Sequence, residues 1–291
     1  MTDNNKDIND NTGGVMQIDL DAILRQRAPG ARRFMPRFFV RWLERIICQD
    51  EMNEILRVCH GKRDADFCHG VLGHLGISVD VSGADRLPPP AHRRVTIVSN
   101  HPLGGLDGMA LIDWAVSYWG CGVKFVVNDL LMAIEPLSGT FIPVNKHGGQ
   151  SRRSSSLLDE AMQGDAPVII FPAGLVSRKG DDLQIKDLKW HKMFVNKSVQ
   201  YNRDIIPVHF NGHNSAFFYK FARLRTRLGI RFNLEMIRLP SEVFRCRGAR
   251  FTITIGDMIP WTSLDNGTGA DAQARQIKDI VYSLAPGETA S

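Results

Sequence analysis

From residue 93 onward, short apolar runs rich in β-branched side chains alternate with stretches in which apolar positions recur every three or four residues. The runs at 95–99, 123–127, 141–144, 168–171, 205–210 and 251–255 read as strands. The periodic stretches at 108–119, 152–162, 190–201 and 270–284 read as helices. Strands separated by helices predict an α/β fold with a mixed, mostly parallel central sheet flanked by helices. In such sheets, binding and catalytic groups gather at the strand ends.

Before residue 88 the pattern is different. Helical periodicity at 19–27, 37–47, 50–59 and 64–75 is followed by one short strand at 79–81, and Pro88, Pro89 and Pro90 then form a stiff connector. The first fourteen residues are rich in Asn and Asp and lack an apolar stretch, which predicts a flexible tail and no secretory signal. The expected organisation is a disordered tail at 1–14, a helical N-terminal region at 15–87 and an α/β domain at 88–291. Within the helical region Arg37, Arg41 and Arg45 form a basic stripe beside Phe38, Phe39, Trp42, Leu43, Ile46 and Ile47. Arginines flanking a broad aromatic and aliphatic face suit a helix lying in a membrane interface, so this segment is expected to meet an anionic membrane surface. An amphipathic helix packed on the core has the same periodicity.

With 291 residues and 43% apolar content, the chain has enough material for a sizeable core. No window approaches the ~18 continuous apolar residues of a membrane-spanning helix. The five cysteines are scattered without a CxxC pair, as expected of reduced thiols in the cytoplasm. Cys59-His60 and Cys68-His69 match no familiar zinc spacing, and no metal is expected. The net charge of +5 is unevenly spread: residues 215–250 carry nine Lys and Arg against only Glu235 and Glu242. Such a stretch favours an anionic surface, either nucleic acid or lipid head groups. A nucleic-acid module without catalysis would use Phe217, Phe218, Tyr219 and Phe232 as stacking partners. The membrane reading is preferred, and nucleic acid is not expected as a partner, because residues 34–47 repeat the same mixture of aromatics and arginines.

The chemistry concentrates in Asn100-His101-Pro102-Leu103-Gly104-Gly105-Leu106-Asp107-Gly108. A histidine at the end of a strand, followed by a Gly-rich turn and a carboxylate at a helix start, has the parts of a general base and its orienting partner. The same residues also make a good turn, with Asp107 as a helix cap. A serine hydrolase would need a Gly-x-Ser-x-Gly elbow, and the chain has none.

Three further segments follow in order: Ser138-Gly139-Thr140-Phe141-Ile142-Pro143-Val144-Asn145, Phe171-Pro172-Ala173-Gly174-Leu175-Val176-Ser177-Arg178, and Ile205-Ile206-Pro207-Val208. Together with Asn100-His101 and Asp107 they resemble the four sequence blocks of the lysophosphatidate and glycerol-3-phosphate acyltransferase family. The resemblance implies transfer of a fatty acyl group from an acyl-carrier-protein or coenzyme A thioester to a lyso-lipid hydroxyl, with no bound cofactor. It also implies a peripheral place on the cytoplasmic face of the inner membrane. His101 would be the general base and Asp107 its partner, while backbone N–H groups in the turn Pro172, Ala173, Gly174 and Leu175 would meet the oxyanion. Asn145, Lys146, Arg152, Ser177, Arg178 and Lys179 would serve the head group or the donor.

The sequence departs from the family pattern at three places. Five residues separate His101 from Asp107 where the family has four, Ala173 replaces the glutamate of Phe-Pro-Glu-Gly, and Lys146 stands near the place of an arginine. The last two touch acceptor recognition and imply an altered acceptor. The Asn-His-Pro-Leu-Gly-Gly-Leu-Asp turn resembles the hemolysin-like bacterial branch, which is associated with lyso-ornithine and lyso-glycine lipids.

Overall fold

The computed structural model describes residues 16–144, 151–230, 232–264 and 267–285. The N-terminal helices are α1 (Leu20–Arg27), α2 (Pro29–Phe34), α3 (Arg37–Ile46), α4 (Gln49–Val58) and α5 (Asp64–His74), followed by β1 (Ser78–Ser82). Asp19 caps α1 by accepting from the Ala22 N–H. Strand and helix then alternate as β2 (Val95–Ser99), α6 (Leu106–Trp119), β3 (Lys124–Asn128), β4 (Phe141–Val144), α7 (Ser151–Gln163) and β5 (Val168–Ile170). A short hairpin, β6 (Arg178–Lys179) and β7 (Ile185–Lys186), precedes α8 (Met193–Gln200) and β8 (Asp204–Asn211). The chain ends its described part with α9 (Ala216–Arg227), α10 (Leu239–Arg245), β9 (Arg250–Ile255), α11 (Trp261–Leu264) and α12 (Ala270–Ser283).

The main sheet has the order β1-β9-β8-β2-β5-β3-β4. Every neighbouring pair is parallel except β8 with β9, so five strands share one direction and β9 and β1 run against them. The central strands alternate between two apolar layers. Ile97, Ile169, Ile206 and Val208 face a layer with Leu72, Leu106, Leu111 and Phe210, whereas Val98, Ile170 and Ile205 face one with Met162, Phe194, Ile277 and Val281. Helices α5 and α6 therefore cover one face, and α7, α8 and α12 cover the other. A parallel sheet buried on both sides explains why β2 and β5 read as unbroken apolar runs.

The expected boundary at 87/88 does not mark a break in packing. Strand β1 pairs with β9 across the triple proline, and Phe67, Val71, Leu72 and Leu75 join the same apolar layer as β2. Helices α1 and α2 bury no residue and α3 buries only Val40, so these are the elements that stand outside the core. The helix expected at 190–201 begins at Met193, because Trp190 turns inward to a buried carboxylate described below. Helices α9 and α10 fall where the charge density of residues 215–250 hides their apolar stripe. None of the described helices is long and apolar enough to cross a membrane.

Candidate active site

Strand β2 ends at Ser99 and delivers Asn100 and His101 to the carboxyl edge of the sheet. The Asn100 amide prolongs the β2–β8 pairing: its Nδ2 donates to the Phe210 carbonyl at 2.9 Å, and the Phe210 N–H donates to Oδ1 at 2.7 Å. Beyond it, the Asn214 Nδ2 donates to the Pro102 carbonyl at 3.0 Å. These amides hold the turn on both sides of His101 at fixed distance from β8.

Asp107 lies in the first turn of α6 with its side chain fully buried, and its Oδ2 is 2.9 Å from His101 Nδ1. The extra residue is absorbed by Gly104, whose φ of +84° lets the turn wrap around the carboxylate. A side chain there would also strike Val176 and Leu239, whose methyl carbons lie 2.8 and 2.9 Å from the position of a Cβ. The N–H groups of Leu103 (2.9 Å) and Gly104 (3.3 Å) donate to Oδ2, and that of Gly108 donates to Oδ1 at 2.9 Å. Burial penalises the Asp107 charge, but His101 and these amides more than offset it and hold its pKa below the usual value. An ionised carboxylate only accepts, so Nδ1 of His101 carries the proton and Nε2 the lone pair.

Burial likewise opposes the imidazolium of His101. The Asp107 charge and hydrogen bond, with a contribution from Asp187, outweigh that penalty and the opposition of Arg178, and its pKa lies above the ordinary histidine value. The ring stacks on Phe171 at 4.0 Å between centroids, and its side chain stays 16% exposed, with no hydrogen bond to Nε2 among the described residues. Nε2 is thus the ring atom left for a substrate.

The segment after β5 lies against this histidine. The Ser177 N–H donates to the His101 carbonyl at 2.8 Å. In the expected oxyanion turn, Pro172 has no N–H, and the Gly174 N–H is spent on the Phe171 carbonyl at 3.0 Å. Ala173 and Leu175 donate no backbone hydrogen bond among the described residues, so the turn offers those two N–H groups. Gly174 has φ +65°, the left-handed conformation that makes the turn possible.

Arg178 is not the free cation that the sequence leads one to expect. Its guanidinium donates to the Val176 carbonyl at 2.7 Å and to Oε1 of the fully buried Glu235 at 2.8 Å, and it lies over the Phe218 ring. Arg225 lies 2.8 Å from the other Glu235 oxygen. Two guanidiniums on one carboxylate leave positive charge beside His101 without a freely swinging side chain. Lys179 is half-buried in β6. Asn145 and Lys146 fall outside the described residues, and for Arg152 only its place in α7 is described.

Sequence reasoning missed Asp187. It is 5% exposed and receives the His101 N–H at 3.1 Å and the Ser177 hydroxyl at 2.5 Å on Oδ1, and the Trp190 indole N–H at 2.9 Å on Oδ2. No motif surrounds it; the indole of Trp190, which needs an acceptor when buried, is the faint signal. The basic stretch also reads differently in three dimensions. Phe218 and Tyr219 are buried core residues and cannot stack on bases, and Arg245, Arg223 and Arg250 pair with Glu242, Asp181 and Asp80. Arg37, Arg41 and Arg45 are exposed along α3 together with Phe38 and Trp42, whereas Phe39 is half-buried.

The chain matches the acyltransferase family over residues 22–288. It is 42% identical over 267 residues to a lyso-glycine lipid O-acyltransferase of Bacteroides thetaiotaomicron, covering 92% of this chain and 97% of that one. It is 40% identical over 270 residues to a lyso-glycine lipid O-acyltransferase of Phocaeicola vulgatus, covering 93% and 96%. Among solved structures it matches the 1-acyl-sn-glycerophosphate acyltransferase PlsC of Thermotoga maritima at 13% identity and a TM-score of 0.45 over 90% of each chain.

Proposed function

The chain belongs to the acyltransferase family and is a lyso-lipid O-acyltransferase, and on that premise we propose that its acceptor is the hydroxyl of a lyso-glycine lipid. The observation that carries the mechanism is the His101–Asp107 pair at the end of β2, with Nδ1 held by the carboxylate and Nε2 left for substrate.

An alcohol is a weak nucleophile near neutral pH. His101 Nε2 takes its proton as the oxygen attacks the thioester carbonyl, and Asp107 stabilises the imidazolium that forms. The oxyanion of the tetrahedral adduct accepts from the N–H groups of Ala173 and Leu175. Collapse breaks the C–S bond, His101 returns the proton to the departing sulfur, and no acyl-enzyme intervenes. The donor is an acyl-carrier-protein or coenzyme A thioester, and no bound cofactor takes part. Ala173 stands where the family resemblance puts an acceptor-binding glutamate and its methyl packs into the apolar layer beside Trp190 and Phe194, so that acceptor contact is missing here, which supports an altered acceptor.

The enzyme works from the cytoplasmic membrane surface. Exposed Phe38 and Trp42 between Arg37, Arg41 and Arg45 support that placement, since aromatics insert at the interface while arginines meet lipid phosphates.

The test pairs radiolabelled acyl thioester with lyso-glycine lipid or lysophosphatidate in mixed micelles. We expect O-acylation of the glycine lipid, and His101→Ala to lower kcat/KM by about 10³-fold while the folded circular dichroism spectrum is retained. Preference for lysophosphatidate would refute the acceptor, and an active His101→Ala variant would refute the base.

A further inference from the structure

Asp107 is not the only buried carboxylate at His101. Asp187 follows the β6–β7 hairpin, and its two oxygens collect three donors from three segments: the His101 N–H, the Ser177 hydroxyl and the Trp190 indole N–H. Ser177 closes the ring from the other side, because its own N–H donates to the His101 carbonyl. Both peptide groups flanking the His101 Cα are thereby tied to one small network. The peptide of Asp187 is itself anchored on α12, where its N–H donates to Tyr282 Oη at 2.6 Å and its carbonyl accepts from Lys278 Nζ at 2.7 Å.

A carboxyl group that only receives hydrogen bonds from three donors is arranged as the ionised acceptor. Burial raises the Asp187 pKa, and the three donors work against that penalty. Among the described residues no arginine or lysine lies within ion-pair distance of the Asp187 carboxylate; the cation that feels its charge is Lys278 of α12, which is bonded to the Asp187 carbonyl and not to the side chain. A buried carboxyl arranged to accept, outside ion-pair distance of any arginine or lysine among the described residues and touching the backbone of the residue that must become positive, points to a role in the reaction.

We propose that Asp187 is a positioning residue for His101: it fixes the backbone that carries the imidazole and places a second negative charge beside the imidazolium formed during acyl transfer. Asp107 sets the tautomer through Nδ1, and Asp187 acts from the backbone side. The charged groups facing the ring are Asp107 from α6, Asp187 from the loop after β7 and Arg178 from β6, with Glu235 and Arg225 behind Arg178. The two carboxylates favour the imidazolium and Arg178 opposes it. The inference rests on His101 being the base.

Asp187→Asn keeps the size of the side chain and removes the charge. In this variant kcat should fall at least tenfold, with KM for the lyso-lipid within about twofold of wild type, because the network touches the base and not the acceptor. The acid limb of kcat/KM should move to lower pH, since the imidazolium has lost one of its two stabilising charges. A purely structural clamp would lower the unfolding temperature and leave that limb in place, and an unchanged limb overturns the proposal. Should the variant fail to fold, carbon-13 labelling of Asp187 in the wild-type protein decides the matter. Its carboxyl must remain ionised through the pH range in which His101 titrates, and a carboxyl protonated there overturns the proposal. His101→Ala separates the two failures. If that variant is active the base reading falls, whereas an inactive His101→Ala beside an Asp187→Asn variant with the wild-type limb refutes only the role of Asp187.

Discussion

Asp107 reaches His101 across five intervening residues because one of them is a glycine at φ +84°, and because the turn so formed aims two N–H groups at the carboxylate. The motif was legible in the sequence; the way its extra residue is absorbed was not, since nothing local says which of Gly104 and Gly105 turns left-handed. Asp107→Asn tests the pair. As the proposed base, His101 must be neutral to accept a proton, and the Asp107 carboxylate raises its pKa above the ordinary histidine value, so activity should rise with pH through a limb above the ordinary histidine range. Loss of the Asp107 charge lowers the histidine pKa and moves the limb down, while the amide presents the wrong hydrogen-bond partner to Nδ1. A fall in kcat/KM of about 10²-fold or more together with that downward shift is expected in a pH–rate profile. A limb that stays in place would separate Asp107 from the base.

At the scale of elements, the hydrophobic pattern predicted helices well where one face is apolar and buried, as in α6 and α12, and strands where both faces are buried, as in β2 and β5. It could not separate an interfacial helix from a core helix in α3, because both are amphipathic. The tertiary structure divides that apolar face: Val40 points inward, while Phe38 and Trp42 are exposed at 73% and 52%. Side chains so exposed contribute little to folding, so the double variant Phe38→Ser, Trp42→Ser should keep its unfolding temperature. Its partition onto anionic vesicles in a sedimentation assay should fall at least tenfold, as expected when two aromatics no longer insert. Undiminished binding would place the membrane contact elsewhere. Helices α9 and α10 show the opposite failure, with arginines that look solvated in sequence and are partly consumed by Glu235 and Glu242 in the fold.

Glu235 belongs to the scale of the whole molecule. Fully buried, it joins Arg178 of the hairpin to Arg225 of α9 and so fastens the segment after β5 to the elements beyond β8. Glu235→Gln would leave two largely buried guanidiniums without their counter-charge, and should lower the unfolding free energy by about 3 kcal/mol, read from urea denaturation. A loss under about 1 kcal/mol would mean that water or another group takes over the charge.

The sequence alone determined the α/β class, the placement of most strands and the His-turn-Asp motif, because hydrophobic period and turn chemistry are local properties. It also carried the family resemblance, since the motif blocks appear in order along the chain. Only the tertiary structure decided that β1 and α5 complete the sheet and its cover, that Arg178 and Arg225 share Glu235, and that Asp187 lies behind His101. The Arg178–Glu235 pair, the Asp187–His101 contact and the β1–β9 pairing join residues 57, 86 and more than 160 positions apart. The Asp187–His101 contact arises because parallel strands bring remote carboxyl ends to one edge, and no spacing rule along the chain encodes which buried side chains meet there.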